Sequence, residues 1–271
     1  MAVLGGAGVP ALPQITINKS QTWVPPQDGN VCIHVVGAGG SGAIAVVYYD
    51  AAGAAGAYAK IPTLAVTTAG SFTLVVGMGG AFRTASAEAD GYAGGNSTIA
   101  GTGITGTLTC GGGGGGLYNV SAGNRAAGGA VSGSTNEGWA GYSGGGGRVS
   151  GGAVGIFATG NESSTSASGS LAVRGGAATD AAFGGLAMSG HGAICGGTSG
   201  GRYVQNILTD NNDGDDFCGG GYGYATGSSG STGGKGGVGA GGGAFFPTGY
   251  NHVKGRSGAG GNGIILIQYL S

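Results

Sequence analysis

The chain has 271 residues, of which 72 are glycine, and its 10 basic and 11 acidic residues leave a net charge of −1. A glycine share of about 27%, against the usual roughly 7%, is typical of low-complexity chain, yet disordered chains usually carry a high net charge. Only 8% of the residues are charged, so we expect an ordered protein that has neither nucleic acid nor a membrane as its partner.

Short β-branched runs bounded by glycine, proline or Asp-Gly predict strands in the N-terminal part of the chain. They are Ile15–Ile17, Trp23–Pro26, Val31–Val36, Ile44–Tyr49, Tyr58–Ile61 and Ser71–Val76. A last apolar run, Gly263–Leu270, has little apolar sequence near it. We therefore expect it to return to the N-terminal sheet and close a small β-domain, with almost no helix anywhere.

Residues 91–257 form a glycine-dominated insertion between residues 1–90, the strand framework, and residues 258–271, the closing strand. Glycine segments can adopt the threefold extended helix of the polyproline type. Because glycine keeps its N–H, neighbouring segments can hydrogen-bond sideways and satisfy their backbone groups. The composition favours a polyglycine II-like array, and irregular stacked glycine-rich turns are the alternative.

The glycine runs alternate with segments that carry many of the aromatic and charged residues, chiefly 117–125, 134–142, 202–217 and 244–256. Their aromatic side chains either anchor the edges of the array or lie at loop tips, where tyrosine and tryptophan offer rigid contact area for proteins and sugar rings. Arg125, Arg202, Lys254 and Arg256 could bind carboxylates or phosphates of a bacterial glycan. The candidate receptor contacts are Tyr118, Arg125, Trp139, Tyr142, Tyr203, Asp210, Asp213, Asp215, Asp216, Phe245, Phe246, Tyr250 and His252.

The motifs that would carry catalysis or hold a cofactor are weak in this sequence. Gly37–Gly42 matches G-x-G-x-x-G, but the strand-like residues after it offer no helix N-terminus for a pyrophosphate. The histidines lack metal-ligand spacing, and Asp210–Asp216 does not fit an EF-hand, so this run is either a solvated acidic turn or another kind of calcium loop. We predict no enzyme, no catalytic residue, no cofactor and no resident metal.

The cysteines are Cys32, Cys110, Cys195 and Cys218, and none forms a C-x-x-C pair. We expect them to be small buried side chains, although four cysteines could also pair as disulfides.

Four segments carry a resemblance to a known family: Ser20–Pro26, Val31–Gly42, Ser71–Gly80 and Gly258–Tyr269. Together they resemble the glycine-rich domain of bacteriophage tail-fibre proteins. The glycine-rich middle also resembles the distal adhesins of T-even-type phages, in which a polyglycine II sandwich carries receptor-binding loops. Those adhesins have a dedicated fibre-docking N-terminal domain, which this sequence does not show.

The resemblance implies a virion protein that is made in the host cytoplasm and exposed on the particle. Its partners would be other virion or fibre proteins and a bacterial surface glycan or outer-membrane protein, and fibres of this kind are often homotrimers. We expect a tail-fibre or fibre-tip adhesin. The alternative is a structural neck, head-decoration or baseplate component without receptor contact.

Overall fold

The computed structural model describes residues 14–45, 51–84, 87–118, 126–133, 231–247 and 255–270, together with short pieces between 140 and 225. This described part of the chain is all-β and contains no helix, and hence no helix that could cross a membrane. Its strands are β1 (Gln14–Ile17), β2 (Gln21–Trp23), β3 (Gly29–Val36), β4 (Tyr58–Val66), β5 (Phe72–Val75), β6 (Ser97–Gly101), β7 (Leu108–Cys110), β8 (Val131–Ser132), β9 (Ala140–Tyr142), β10 (Ala187–Met188), β11 (His191–Ala193), β12 (Val204–Gln205), β13 (Gly223–Ala225), β14 (Ser231–Thr232), β15 (Phe245–Pro247), β16 (Gly255–Arg256) and β17 (Ile264–Tyr269).

Ten of these strands form two five-stranded antiparallel sheets. Sheet A has the order β1-β17-β3-β4-β9, and sheet B has the order β2-β5-β6-β7-β8. Strand β17 lies between β1 and β3 and pairs with both, which confirms the predicted return of the C-terminal strand. Shorter ladders join β10 to β11, β12 to β13 and β15, and β14 to β16.

The two sheets share one hydrophobic core. In β5, Phe72 and Leu74 are buried whereas Thr73 and Val75 are exposed, as the period of two predicts. The sheet A residues of this core include Val31, Ile33, Val35, Ala59, Ile61, Ile265 and Ile267, and those of sheet B include Phe72, Leu74, Ile99, Leu108 and Cys110.

Sheet A is buried on its second face as well. Val36, Tyr58, Ile264 and Leu266 form a separate cluster there, and Val154 from the glycine-rich part belongs to the same cluster. Strand β3 is therefore apolar throughout Val31–Val36 apart from His34, because neither face meets water.

Seven strands continue without interruption into glycine- or alanine-rich segments. Sheet A supplies segment 37–45 after β3, segment 51–57 before β4 and segment 258–263 before β17. Sheet B supplies segment 77–80 after β5, segment 89–95 before β6, segment 111–116 after β7 and segment 126–130 before β8. The strands thus hold the glycine-rich segments side by side, and array segments lie on both sides of residue 90.

Segment 37–45 donates its N–H groups to three neighbours in rotation. Gly37, Gly40 and Ala43 donate to segment 51–57, and Ala38, Ser41 and Ile44 donate to segment 89–95. Gly39 and Gly42 donate to segment 258–261, and all these N···O distances are 2.7–3.1 Å. The last residue of the segment, Ala45, donates to the carbonyl of Phe245. A period of three residues is that of the polyproline-type helix.

Three further segments donate to the carbonyl groups of segment 37–45. The bonds come from Gly113 and Gly116, from Gly242 and Phe245, and from Gly80. The segment thus has six hydrogen-bonded neighbours, and its period of three residues is the one expected of the polyglycine II-like array that the composition favours.

Close approach explains why these segments contain so much glycine. A methyl group on Gly39 would collide with the backbone carbonyl of Ala240, and one on Gly40 with that of Gly114. Most of the other residues in segment 37–45 are small and fully buried, such as Ser41. Ile44, predicted to begin the strand Ile44–Tyr49, belongs to this array segment and forms isolated bridges to Ala89 and Phe245. Residues 46–49 of that predicted strand lie outside the described residues.

Side-chain oxygens take the place of backbone carbonyl groups as acceptors for some N–H groups of the array. Asn262 Oδ1 accepts from Gly79 N at 2.9 Å, and Ser41 Oγ accepts from Tyr92 N at 2.8 Å. Other acceptors of this kind are Asn96, Ser97 and Ser257. Polar side chains at these points satisfy N–H groups that would otherwise lack a partner.

Candidate binding surface on the glycine array

One side of the array carries large side chains that project outward. Met78, Phe82 and Tyr92 are 77%, 44% and 46% exposed. They lie on neighbouring segments, because Gly95 N donates to the carbonyl of Met78 and Gly260 N to that of Gly80. We call this side the array face and define it by Met78, Phe82, Arg83, Tyr92, Lys235, Arg256 and Asn262.

Tight packing behind the array face forces these side chains outward. A Cβ atom on Gly79 would collide with the carbonyl of Gly260, and one on Gly80 with that of Tyr92. A large side chain in such a segment therefore has space only on the solvent side.

Two arginines lie over the aromatic rings of the array face. Arg83 Cζ is 3.7 Å from the centroid of the Tyr92 ring, and its Nε donates to the carbonyl of Asp90 at 2.7 Å. Arg256 Cζ is 5.0 Å from the centroid of the Phe82 ring. These cation–π contacts hold the rings in fixed positions while part of each ring stays in solvent.

A groove runs beside Phe82 and consists of two adjoining depressions of about 180 and 320 Å³. Asp213 and Lys235 line both of them. The first is also lined by Phe82, Gly233, Arg256, Ser257, Gly258 and Ala259, and the second by Gly236, Gly237, Val238, Gly261 and Asn262. Much of the lining is therefore backbone that a ligand can approach closely, since glycine has no side chain.

The polar groups of the groove are partly fixed by the array. Asp213 Oδ1 accepts from the backbone N–H of Lys235 at 2.6 Å. Asn262 is exposed and uses its Oδ1 to accept from Gly79, which leaves its NH₂ group as a donor for a ligand. Lys235 is exposed, so its ammonium group lies in solvent at the groove.

The structure locates four of the candidate receptor contacts. Asp213 is exposed and lines the groove. Tyr118 is half-buried against a cluster that includes Phe246, and its N–H donates to Asp90 Oδ1 at 2.9 Å. Phe245 and Phe246 have no exposed surface.

Burial corrects the prediction for Phe245 and Phe246. Phe245 packs against Ile44 and covers Gly255, where a Cβ atom would collide with its ring. These two residues are hydrophobic anchors of the array, the alternative that the sequence left open. A fully buried ring cannot contact a receptor.

The structure does not describe the side chains of the remaining candidate receptor contacts. Tyr142 lies in β9 opposite Tyr58, and only its backbone is described. Arg125, Trp139, Tyr203, Asp210, Asp215, Asp216, Tyr250 and His252 lie outside the described residues, and so does the rest of the acidic run around Asp213. Their receptor role stays a prediction.

The sequence reasoning missed Met78, Phe82, Arg83 and Tyr92. A signal for them was present, because Gly77–Gly80 and Gly91–Gly95 each hold a single large side chain among small residues. Once such a segment packs as an array, that side chain must face solvent. The predicted receptor contacts were instead the aromatic and charged residues between the long glycine runs.

A buried polar cluster lies on the second face of sheet A, away from the array face. His34 Nδ1 is 2.8 Å from the Tyr58 hydroxyl, and Cys32 Sγ is 3.4 Å from His34 Nε2. Burial lowers the pKa of His34 to about 4, and the Lys60 charge acts in the same direction. Burial also raises the pKa of the Cys32 thiol, which is the opposite of what activates a cysteine nucleophile.

Cys32 and Cys110 are free and buried, as expected of small core side chains. Cys195 and Cys218 lie outside the described residues. Among the residues that the structure describes, no three His, Cys, Asp or Glu side chains come together as metal ligands.

The fold therefore defines an all-β, glycine-rich protein in which two sheets hold a packed array. A family model described as a glycine-rich domain matches residues 15–270, and the chain belongs to this family. No curated protein matches the chain.

Proposed function

We propose that the chain is a phage virion surface protein, a tail-fibre or fibre-tip adhesin that binds the bacterial host surface. The observation that carries the proposal is the array face, where Phe82 and Tyr92 stand exposed on a scaffold of hydrogen-bonded glycine segments. Exposed aromatic rings held by arginines are typical of recognition surfaces. The resemblance of the framework segments to phage tail-fibre domains supports the same assignment.

The proposed mechanism is binding without chemistry. Array segments whose backbone is hydrogen-bonded to neighbouring segments lose little further conformational freedom when a ligand binds, so contacts on them cost less entropy than contacts on a flexible loop. The segments between the glycine runs, chiefly 202–217 and 244–256, would add contacts to a bacterial glycan or outer-membrane protein. Other fibre proteins would supply the attachment to the particle, with a homotrimer as the proposed assembly.

The second candidate function is a structural virion component at the neck, head surface or baseplate. Met78 favours it, because this apolar side chain is 77% exposed and is the kind of residue that protein interfaces bury. In that case the array face would contact a neighbour in the particle and not a receptor.

Binding of the fluorescently labelled full chain to a panel of intact bacteria tests the proposal. An adhesin gives saturable binding to at least one strain that unlabelled protein displaces. A variant with residues 202–217 replaced by a short Gly-Ser link tests the contribution of that loop, with thermal melting as the check on folding. Absence of binding to every strain by folded protein would favour the structural role.

A further inference from the structure

We propose that Met78, Ala81 and Tyr92 shield an open edge of the glycine array and prevent a second copy of the chain from packing its own array against that edge. We call these three residues the shielding residues and call residues 77–82 the outer segment. The inference does not depend on the proposed function, because it concerns only contacts between array segments.

The outer segment has three hydrogen-bonded neighbouring segments in the described structure, whereas segment 37–45 has six. Gly80 N donates to a carbonyl of segment 37–45 at 2.9 Å. Gly95 N donates to the outer segment from one side, and Gly260 N donates to it from the other. The remaining side of the outer segment faces solvent and is an open edge of the array.

The open edge presents backbone groups that are unpaired. Gly80 N has the Gly39 carbonyl as its acceptor, but the N–H groups of Met78 and Ala81 have no acceptor among the described residues, and both residues are exposed. In a helix of three residues per turn, positions 78 and 81 point the same way at a spacing of roughly 9 Å. A further glycine segment could bond to such a row, as a further strand bonds to the edge of a sheet.

The shielding residues occupy the space that a further segment would need. Array segments lie so close together that a Cβ atom on Gly80 would collide with the carbonyl of Tyr92 in the next segment. Met78 is 77% exposed, so its side chain lies on the open side. Tyr92 is 46% exposed, and the Arg83 guanidinium, 3.7 Å from its ring centroid, holds the ring beside the outer segment. An incoming segment therefore meets side chains before it reaches the backbone.

A second copy of this chain is the partner that fits the open edge once the shielding side chains are removed. A segment that bonds there must approach as closely as the array's own segments do, and must therefore lack side chains on the facing side. The outer segment of the other molecule is such a segment. A two-fold axis would bring the same edge of both molecules together, as in most homodimers.

Two matched variants distinguish shielding from ordinary hydrophobic contact. The glycine variant combines Met78→Gly, Ala81→Gly and Tyr92→Gly, and the alanine variant combines Met78→Ala and Tyr92→Ala. Both variants lose the large exposed side chains, but only the glycine variant loses the Cβ atoms as well. Loss of exposed apolar surface should weaken association in both variants. Stronger association of the glycine variant alone must therefore come from the backbone edge.

Analytical ultracentrifugation of the full chain over a wide range of concentrations measures this association, with thermal melting as the check on folding. The glycine variant should self-associate about tenfold more strongly than the wild type, because at least two N–H groups gain acceptors. The alanine variant should show no increase. A folded glycine variant without an increase, or an equal increase in the alanine variant, would overturn the proposal. If the glycine variant does not fold, Met78→Gly compared with Met78→Ala makes the same test.

Amide hydrogen exchange locates the new contact. In the associated glycine variant, a peptide that covers positions 78 and 81 should exchange more slowly than it does in the dilute, dissociated variant. Exchange of this peptide that does not change on association would show that the molecules meet elsewhere, and the proposal would then be wrong.

Discussion

At the scale of single residues, glycine serves two different purposes in this chain. In the array it provides space, because a Cβ atom on residues such as Gly113 would collide with a carbonyl of the next segment. In the turn between β6 and β7 it provides conformation, since Gly103 and Gly106 have φ values of +82° and +81°. The first purpose accounts for the unusual composition.

Alanine substitutions in one array segment test this explanation. Gly113→Ala should lower the free energy of unfolding by about 3 kcal/mol or more, because the new methyl group collides with the Ala54 carbonyl. Gly114→Ala is the matched comparison, since its Cβ would lie 3.2 Å from the nearest carbonyl oxygen, that of Ala127, and needs a shift of only a few tenths of an ångström. Urea denaturation should find a clearly smaller loss of unfolding free energy in Gly114→Ala than in Gly113→Ala. Equal losses in both variants would mean that space does not decide where glycine is needed.

His34 makes the stability of the fold depend on pH. Burial, together with the Lys60 charge, lowers its pKa from the ordinary 6.5 to about 4, so the unfolded chain takes up a proton at a higher pH than the folded chain does. Stability from this residue is complete above about pH 6.5 and falls as the pH drops toward 4, by about 3 kcal/mol in all.

The measurement is the free energy of unfolding at pH 7 and pH 4 for the wild type and His34→Gln. Whatever its stability at pH 7, the variant should lose about 3 kcal/mol less of its unfolding free energy on acidification than the wild type does. Parallel losses in the two proteins would show that His34 does not titrate as described.

At the scale of elements, the last strand, β17, is the one that sheet A needs for its completion. β17 lies inside sheet A, between β1 and β3, although thirteen of the seventeen described strands separate it from β3 along the chain. Its Ile265 and Ile267 are fully buried in the shared core. The N-terminal strands therefore cannot complete their sheet until the C-terminus has returned.

Two paired isoleucines compare a central strand with an edge strand. Ile267 in β17 lies opposite Ile15 in the edge strand β1, and Ile15 is only partly buried. Ile267→Ala should cost about 2–5 kcal/mol of unfolding free energy, and Ile15→Ala distinctly less. Chemical denaturation of both variants measures the difference. A larger loss at Ile15 would contradict the central position of β17.

The elements that the sequence predicted correctly are those whose side chains decide their structure. The alternation in β5 and the apolar runs of β3 and β17 each bury a defined face, so their pattern is visible in the sequence. The apolar run that begins at Ile44 looks the same in the sequence whether it forms a strand or an array segment. At Ile44, backbone bridges to Ala89 and Phe245 decide the conformation.

The candidate site was harder to predict than the fold. The burial of Phe245 and Phe246 and the exposure of Phe82 depend on which segments become neighbours in the array. That pairing is determined by backbone hydrogen bonds between residues far apart in sequence, such as Gly260 to Gly80. Glycine positions look alike in a sequence, so they do not reveal the pairing.

At the scale of the whole molecule, the sheets and the array depend on each other. The strands supply the hydrophobic burial that glycine segments lack, and they bring those segments into register. In return, the glycine-rich part contributes Val154 and Val238 to the second face of sheet A. We expect the two parts to unfold together. Coincident urea transitions, followed by far-UV circular dichroism and by tryptophan fluorescence, would show this, whereas separate transitions would show independent units.

Amide hydrogen exchange within segment 37–45 tests the central claim most directly, namely that glycine-rich chain forms a rigid, hydrogen-bonded scaffold. Each N–H of this segment donates to a neighbouring carbonyl, so its peptides should exchange as slowly as those of β3, from which it continues. Exchange as fast as that of an unstructured peptide, while β3 stays protected, would contradict the array and the binding surface built on it.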